Sequence, residues 1–323
     1  MAELGILIIG QSGLNWVRWK RLCTAIEVLG FDVLLRSETL RDPAPPHEDA
    51  LELWSSLMYV ATQTRRVRFG SLYSPVVYRH PVWVAKMAAA VDALSQGRFI
   101  LGLGYGEDPA TQQRYALPTY AGTQRLDHFE EAVATIHALL RSPEPVTLVG
   151  RYYKLHDAFI QPRPAPGSPP LVLSDGVGGD ALPILARYAD EWNALGMLPG
   201  DYRMVRHKLN GHLAAADRAP EAMHYSFTAR LYFAKSESSL MRALDRARRD
   251  FPESSTLTPG ELMTYVRSKG ALIGTPDQIV AQIAELVASG VHRVILEWHE
   301  LDDISGLEAL GQKVLHQVHA MPS

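Results

Sequence analysis

The sequence predicts an α/β protein of the (β/α)8 TIM-barrel class, with insertions before strand five and before strand eight. Short apolar runs alternate with helix-length amphipathic stretches from end to end, and eight of the runs have strand length. Two irregular stretches and a proline loop hold the length beyond the roughly 250 residues of a bare barrel. Eight alternations also fit a doubly wound open sheet, and the count favours the barrel. With no short-period repeat and no low-complexity tract, residues 1–323 read as one domain.

Leu4 to Ile9 is the first strand, followed by a helix over Trp16 to Leu29, Gly30 as its stop and Phe31 to Arg36 as the second strand. Pro43, Pro45 and Pro46 hold an extended loop, and a helix then starts at Asp49 or a neighbour and runs to Gln63. Val67 to Tyr73 is strand three, ended by Ser74-Pro75. A helix opens at Pro81, a residue suited to a first turn, and runs through Ala85 to Leu94. It delivers the chain to Arg98 to Leu103, a run buried on both faces that ends in Gly-Leu-Gly-Tyr-Gly-Glu, where absent side chains permit close backbone approach to a ligand.

After a loop holding Pro109 and Pro118, Leu126, Phe129, Val133, Ile136, His137 and Leu140 mark the core stripe of a helix over Gln124 to Leu140. Residues 142–170 break the rhythm with seven prolines around a hairpin-like Gly150-Arg151-Tyr152-Tyr153, an insertion rather than a linker. Leu171 to Leu173, Leu182 to Tyr188, Glu191 to Leu195, Tyr202 to Ala216, Tyr225 to Phe233 and Ser238 to Asp250 continue the alternation. Phe251 to Pro259 opens the second insertion. Pro276 to Ala288, Val291 to Trp298 and Leu307 to Val318 close the chain.

A chain 47% apolar with net charge −3 can bury a large core and has no electrostatic reason to seek nucleic acid. Cys23 is the single cysteine, which rules out an internal disulfide and a cysteine-built metal site. No apolar run reaches about 18 residues and no basic leader opens the chain, so neither membrane insertion nor export is expected and a cytoplasmic setting fits. Histidine spacing offers no metal-binding motif; there is no nucleophile elbow and no phosphate loop ending in Gly-Lys-Ser/Thr.

In a barrel, ligand chemistry belongs where strands end and βα loops begin. The candidates by position are Ser37 and Glu38, Tyr73 and Ser74, Tyr105 to Glu107, Ser174 to Gly179, Asn193, and Glu297 with His299. Asp175-Gly176-Val177-Gly178-Gly179 lies just before a helix, where free N–H groups and the helix dipole favour a phosphate; a flexible βα loop is the other reading.

The segments Trp54 to Glu107, Arg125 to Leu140, Gly150 to Tyr153, Pro169 to Asn193 and Gly274 to Leu296 resemble the luciferase-like monooxygenase superfamily, most specifically from Arg79-His80-Pro81 to Glu107. The resemblance implies a barrel without a bound metal, carrying FMN or the deazaflavin coenzyme F-420 at its C-terminal mouth, with Gly176, Gly178 and Gly179 at the cofactor phosphate. Glu38, Leu72, Tyr73, Tyr105 and Gly106 are then cofactor-binding candidates with that loop. It also implies a non-prolyl cis peptide at Leu72-Tyr73. Where relatives often carry Ser-Asp-His, this chain has Ser37, Glu38 and Thr39; where many carry an arginine after strand five, it has Asp180.

The expected activity is that of an oxidoreductase on a small organic substrate, by hydride transfer or monooxygenation, with F-420 slightly preferred. FMN dependence would bring a partner reductase, and the resemblance implies a homodimer. The alternative is a ligand-binding barrel that has lost redox catalysis. Glu107 is the acid/base candidate, against a plain helix-start carboxylate facing water. The substrate is expected between the end of strand eight and the loops after strands two and four, with Trp298 or His299 on its wall. Strand alternation lets only one of Glu297 and Trp298 face inward. The reading favours Glu297 inward with His299, and makes His299 the proton donor that Thr39 cannot be.

Overall fold

The computed structural model describes residues 1–11, 13–40, 48–106, 109–174 and 179–322. Its strands are β1 (Glu3–Ile8), β2 (Val33–Arg36), β3 (Arg68–Pro75), β4 (Phe99–Gly104), β5 (Val146–Val149), β6 (Lys154–Ala158), β7 (Leu171–Leu173), β8 (Glu191–Leu195), β9 (His224–Phe233), β10 (Leu272–Gly274) and β11 (Arg293–Trp298). The helices are α1 (Trp16–Leu29), α2 (Leu53–Gln63), α3 (Pro81–Ser95), α4 (Pro109–Arg114), α5 (Thr123–Arg141), α6 (Leu182–Tyr188), α7 (Pro199–Ala215), α8 (Leu240–Asp250), α9 (Pro259–Ser268), α10 (Pro276–Ala288), α11 (Ile304–Leu310) and α12 (His316–His319). A π turn over Gly311–Leu315 joins the last two.

The parallel strands β1-β2-β3-β4-β7-β8-β9-β11 pair in that order, and β11 returns to β1, with Glu3 opposite Arg293 and Ile8 opposite Trp298. The sheet is therefore a closed eight-stranded barrel. Alternation along each strand builds two cores. Leu7, Val33, Leu35, Ile100, Val172 and Ile295 fill the lumen, while Ile6, Leu34, Val294 and Leu296 pack under the helices.

The barrel floor is ionic. Arg293 is 1% exposed and lies 2.5 Å from both Glu3 and Glu191; a buried cation needs such partners. His224 stands beside them, and burial together with Arg293 pushes its pKa down to about 4.

Both insertions are present. β5 and β6 form an antiparallel hairpin outside the barrel. Before β11 lie α9 and β10, which the sequence reading passed over. β9 outruns β8, and its last residues, Leu231 to Phe233, pair with Leu272 to Gly274 instead. The reading also missed α4. The second helix, expected from Asp49 or a neighbour, is capped by Glu52, which accepts from the N–H groups of Trp54 and Ser55. No helix among the described residues is long and apolar enough to cross a membrane.

Candidate active site

Four barrel strands end around a cleft of about 340 Å³ lined by Ser37, Glu38, Thr39, Leu72, Tyr73, Pro75, Leu103, Gly104, Tyr105, Gly106, Arg125 and Ser174. Its first wall is the loop after β2. Ser37 Oγ accepts from Gly10 N–H at 2.9 Å and Thr39 Oγ1 donates to Gln11 at 2.8 Å, tying this loop to the one after β1. Between them the Glu38 side chain turns inward. One carboxylate oxygen accepts from Ser74 Oγ at 2.7 Å and the other lies 2.6 Å from Arg79. Burial raises the Glu38 pKa against the pull of Arg79 and Ser74.

The floor comes from the end of β3. The Leu72–Tyr73 peptide is cis, as the resemblance implies, and the β3–β4 register shifts between Ser71 and Ser74. Glycines on β4 make the room. A Cβ at Gly104 would lie 3.0 Å from Tyr73 Cβ, and one at Gly102 would lie 2.2 Å from the Ser71 carbonyl oxygen. The Tyr73 hydroxyl donates to Asn193 Oδ1 at 2.8 Å; Asn193 Nδ2 in turn donates to Ser226 and Thr228 at 2.9 and 3.0 Å. This lumen network fixes the Tyr73 ring beneath the cleft.

The far wall is aromatic. Tyr105 stacks on Phe129 of α5 at 4.1 Å, and the Arg125 guanidinium lies 5.7 Å from the Tyr105 ring centroid. The inserted hairpin buttresses this side. Glu131 accepts from the N–H groups of Arg151, Tyr152 and Tyr153, and Tyr153 Oη lies 2.7 Å from His128 Nε2. Burial pushes the Tyr153 phenol up to about 12, so it stays protonated.

The structure thus gathers Glu38, Leu72, Tyr73, Tyr105 and Gly106 at one cleft. Glu107 and Asp175, Gly176, Val177 and Gly178 lie outside the described residues. Gly179 is described with φ 84°, where a Cβ would press on Leu182 rather than on the cleft. Glu297 and His299 are not brought to the cleft lining. Glu297 does turn away from the helix layer, lying 3.3 Å from both Arg230 and His299. Burial pushes its carboxyl up, but His299 and Arg230 outweigh it and hold the pKa below the ordinary value.

Trp298 points the other way, as the expectation of Glu297 inward requires, and of the two residues offered for the substrate wall it is the one that does not stand there. It belongs to the core under the helices, with Nε1 donating to Glu300 O at 2.8 Å. Sequence reasoning gave no role to Arg79 or Arg125, because each acquires one only through contact with a distant element. Among the described residues no three His, Cys, Asp or Glu side chains converge as a metal site.

A family model described as luciferase-like monooxygenase matches residues 7–293. The 4-hydroxyprotoasukamycin monooxygenase of Streptomyces nodosus subsp. asukaensis is 35% identical over 146 residues, 44% of this chain and 38% of that protein. The match thus spans little more than a third of that relative. The phthiodiolone/phenolphthiodiolone dimycocerosates ketoreductase of Mycobacterium tuberculosis (strain CDC 1551 / Oshkosh) is 26% identical over 268 residues, 72% of this chain and 69% of that protein. Among solved structures, an F-420-dependent secondary alcohol dehydrogenase in complex with an F-420-acetone adduct superposes with TM-score 0.81 at 17% identity, covering 98% of this chain and 99% of that one. At that identity the likeness shows the fold. Structures sharing it include this F-420 complex and a monooxygenase component from Pseudomonas putida in complex with FMN.

Proposed function

From the premise that this chain belongs to the luciferase-like monooxygenase family, we propose that it is an oxidoreductase that holds F-420 or FMN in the cleft above Tyr73 and acts on a small organic substrate. The observation that carries this reading is the cleft itself. Leu72, Tyr73, Gly104 and Tyr105 line it with largely apolar surface, and Ser37, Glu38 and Thr39 add polar groups to the same lining. That lining fits one face of a planar ring whose rim carries polar atoms.

When bound, the cofactor supplies hydride or activates oxygen, and the protein's part is binding, orientation and exclusion of water. Tyr73, held through Asn193, sets the height of the floor. Burial pushes the Glu38 carboxyl upward against the pull of Arg79 and Ser74, which fix its orientation at the cleft edge and make it an acid/base candidate. Glu107, next after Gly106, is the second acid/base candidate, and Glu297 with His299 the third. The preference between cofactors stays with F-420, supported by the run of sequence motifs; use of reduced FMN would call for a reductase partner. The homodimer and the cytoplasmic setting belong to the same proposal.

A barrel that binds a ligand without turning it over is the second reading, favoured by Thr39 at the place where relatives often carry histidine. Titrating purified protein with oxidised F-420 and with FMN, followed by absorbance and fluorescence, tests the binding claim. Saturable binding of one supports it, and failure to bind either one would sink it. Turnover of a bound, reduced cofactor then separates an enzyme from a binding barrel.

A further inference from the structure

Glu38 does not hold Arg79 alone. Arg79 Nη2 lies 2.6 Å from Glu38 Oε1 and also donates to Glu52 Oε1 at 3.3 Å, while Arg79 Nη1 is buried without a hydrogen-bond partner among the described residues. Two carboxylates therefore compete for one guanidinium nitrogen. Glu52 is no loose surface carboxylate. It caps α2, accepting from Trp54 N–H at 3.0 Å and from Ser55 N–H at 2.6 Å, so the helix start fixes its oxygens. Burial pushes the Glu52 carboxyl up, but Ser55, Trp54 and Arg79 outweigh it and hold the pKa below the ordinary value, so the group is charged at neutral pH.

The backbone under this cap is pinned as well. Arg36, 1% exposed, donates to Leu51 O at 2.7 Å, to Glu52 O at 3.4 Å and to Ser56 Oγ at 2.5 Å, and its guanidinium lies 5.1 Å from the Trp19 ring centroid. Arg36 thus fixes the main chain at Glu52, and Glu52 fixes where Arg79 stands between the two carboxylates. Among the described residues, the charged or titratable groups set around Glu38 are Arg79, Glu52 and Arg36, with Tyr73, Tyr105 and Arg125 in the cleft lining.

We propose that Glu52 is a positioning residue for the cleft, which draws Arg79 away from full pairing with Glu38 and so sets how readily the Glu38 carboxyl exchanges a proton. The inference rests on reading Glu38 as an acid/base group of the cleft, and it deepens that reading by naming the group that tunes it.

Carboxyl-carbon NMR of the cofactor-free protein labelled at glutamate, with the Glu38 signal assigned from Glu38→Gln, reads this titration directly. Glu52→Gln keeps the length and a capping oxygen but removes the charge; Glu52→Ser is a second neutral cap, and Glu52→Asp keeps the charge. The Glu38 midpoint should move to lower pH in both neutral variants, because Arg79 then serves Glu38 alone, and should return toward wild type in Glu52→Asp. In an Arg79→Met background the shift should largely vanish. A cap with a structural role only would lower the Tm and leave the midpoint in place. The proposal is overturned if the midpoint stays in place in a folded neutral variant, moves to higher pH, or shifts equally with and without Arg79. Should wild type bind neither F-420 nor FMN while the midpoint shifts as stated, the cofactor reading fails and the placing of Arg79 by Glu52 stands.

Discussion

The Glu38 carboxylate and the Arg79 guanidinium meet at 2.6 Å, with the Glu38 side chain 4% exposed, so the loops after β2 and β3 are locked together by a buried charge pair at the cleft. Removing one partner of such a pair costs about 3–5 kcal/mol, because the other charge is stranded. Arg79→Met should therefore lose about 3 kcal/mol in urea unfolding at pH 8. The loss should shrink at pH 5, since without Arg79 the Glu38 pKa rises further above its already raised value and the carboxyl neutralises. Adding Glu38→Gln to Arg79→Met should restore most of the stability. A loss independent of pH, or no rescue, would show that the pair does not hold these loops.

Acid should weaken the barrel from its floor. His224 faces Arg293, Glu191, Glu3 and His292, and its pKa in the folded protein is about 4 against an ordinary 6.5. Above pH 6.5 it is neutral folded or unfolded. Between pH 6.5 and 4 only the unfolded chain takes up the proton, so stability falls by up to about 3 kcal/mol across this window. His292, also lowered by burial, acts in the same direction. Urea midpoints from pH 7 to 5 should decline in wild type and less steeply in His224→Gln; parallel declines would contradict the assignment.

Asn193 is buried, and among the described residues it is hydrogen-bonded to the cleft lining through Tyr73. Asn193→Leu would leave the Tyr73, Ser226 and Thr228 hydroxyls without their shared partner, at about 1–3 kcal/mol. Cofactor affinity should fall as well, because the ring beneath the cleft is released. Tyr73→Phe keeps the ring and should cost about 1 kcal/mol. If Asn193→Leu lowers the Tm yet leaves cofactor binding untouched, the network is structural only.

Gly102 permits the close approach of β4 to β3. Its added Cβ would stand 2.2 Å from a backbone oxygen that cannot swing away. Gly102→Ala should lose at least about 3 kcal/mol or fail to accumulate as folded protein. Gly97→Ala is the control for open space, since a Cβ there meets nothing within 4 Å; its positive φ of 82° leaves only a backbone penalty of about 1 kcal/mol. Circular dichroism melts of the two variants compare them directly.

The barrel was legible because its punctuation is local. Leu171–Leu173, Leu182–Tyr188, Glu191–Leu195 and Pro276–Ala288 match the sequence reading residue for residue, each bounded by prolines, glycines or a sharp change of period. β10 was not legible, since it pairs only where β9 outruns β8, a tertiary circumstance that no local signal around Leu272–Gly274 marks. The polar α4, Pro-Ala-Thr-Gln-Gln-Arg, carries no apolar stripe. At the strand ends, position pointed to Glu38, Tyr73 and Tyr105, which the structure brings to one cleft. The partners that complete it were hidden, because Arg79 reaches Glu38 across 41 residues and Arg125 reaches Tyr105 across 20. Strand alternation with Glu297 inward sets Trp298 outward, and β11 does place it against the helix layer beside Gly306.

If the cofactor ring sits in the cleft over Tyr73, as proposed, filling that cleft should exclude it. Thr39→Trp places an indole in the mouth of the cleft, from a residue whose side chain, among the described residues, donates to Gln11. Equilibrium titration of wild type and Thr39→Trp with F-420 and with FMN, on samples of matching Tm, should show saturable binding of one cofactor to wild type and at least about tenfold weaker binding to the variant, a difference of about 1.4 kcal/mol. Equal binding by a folded Thr39→Trp, or no binding of either cofactor by wild type, would contradict the account.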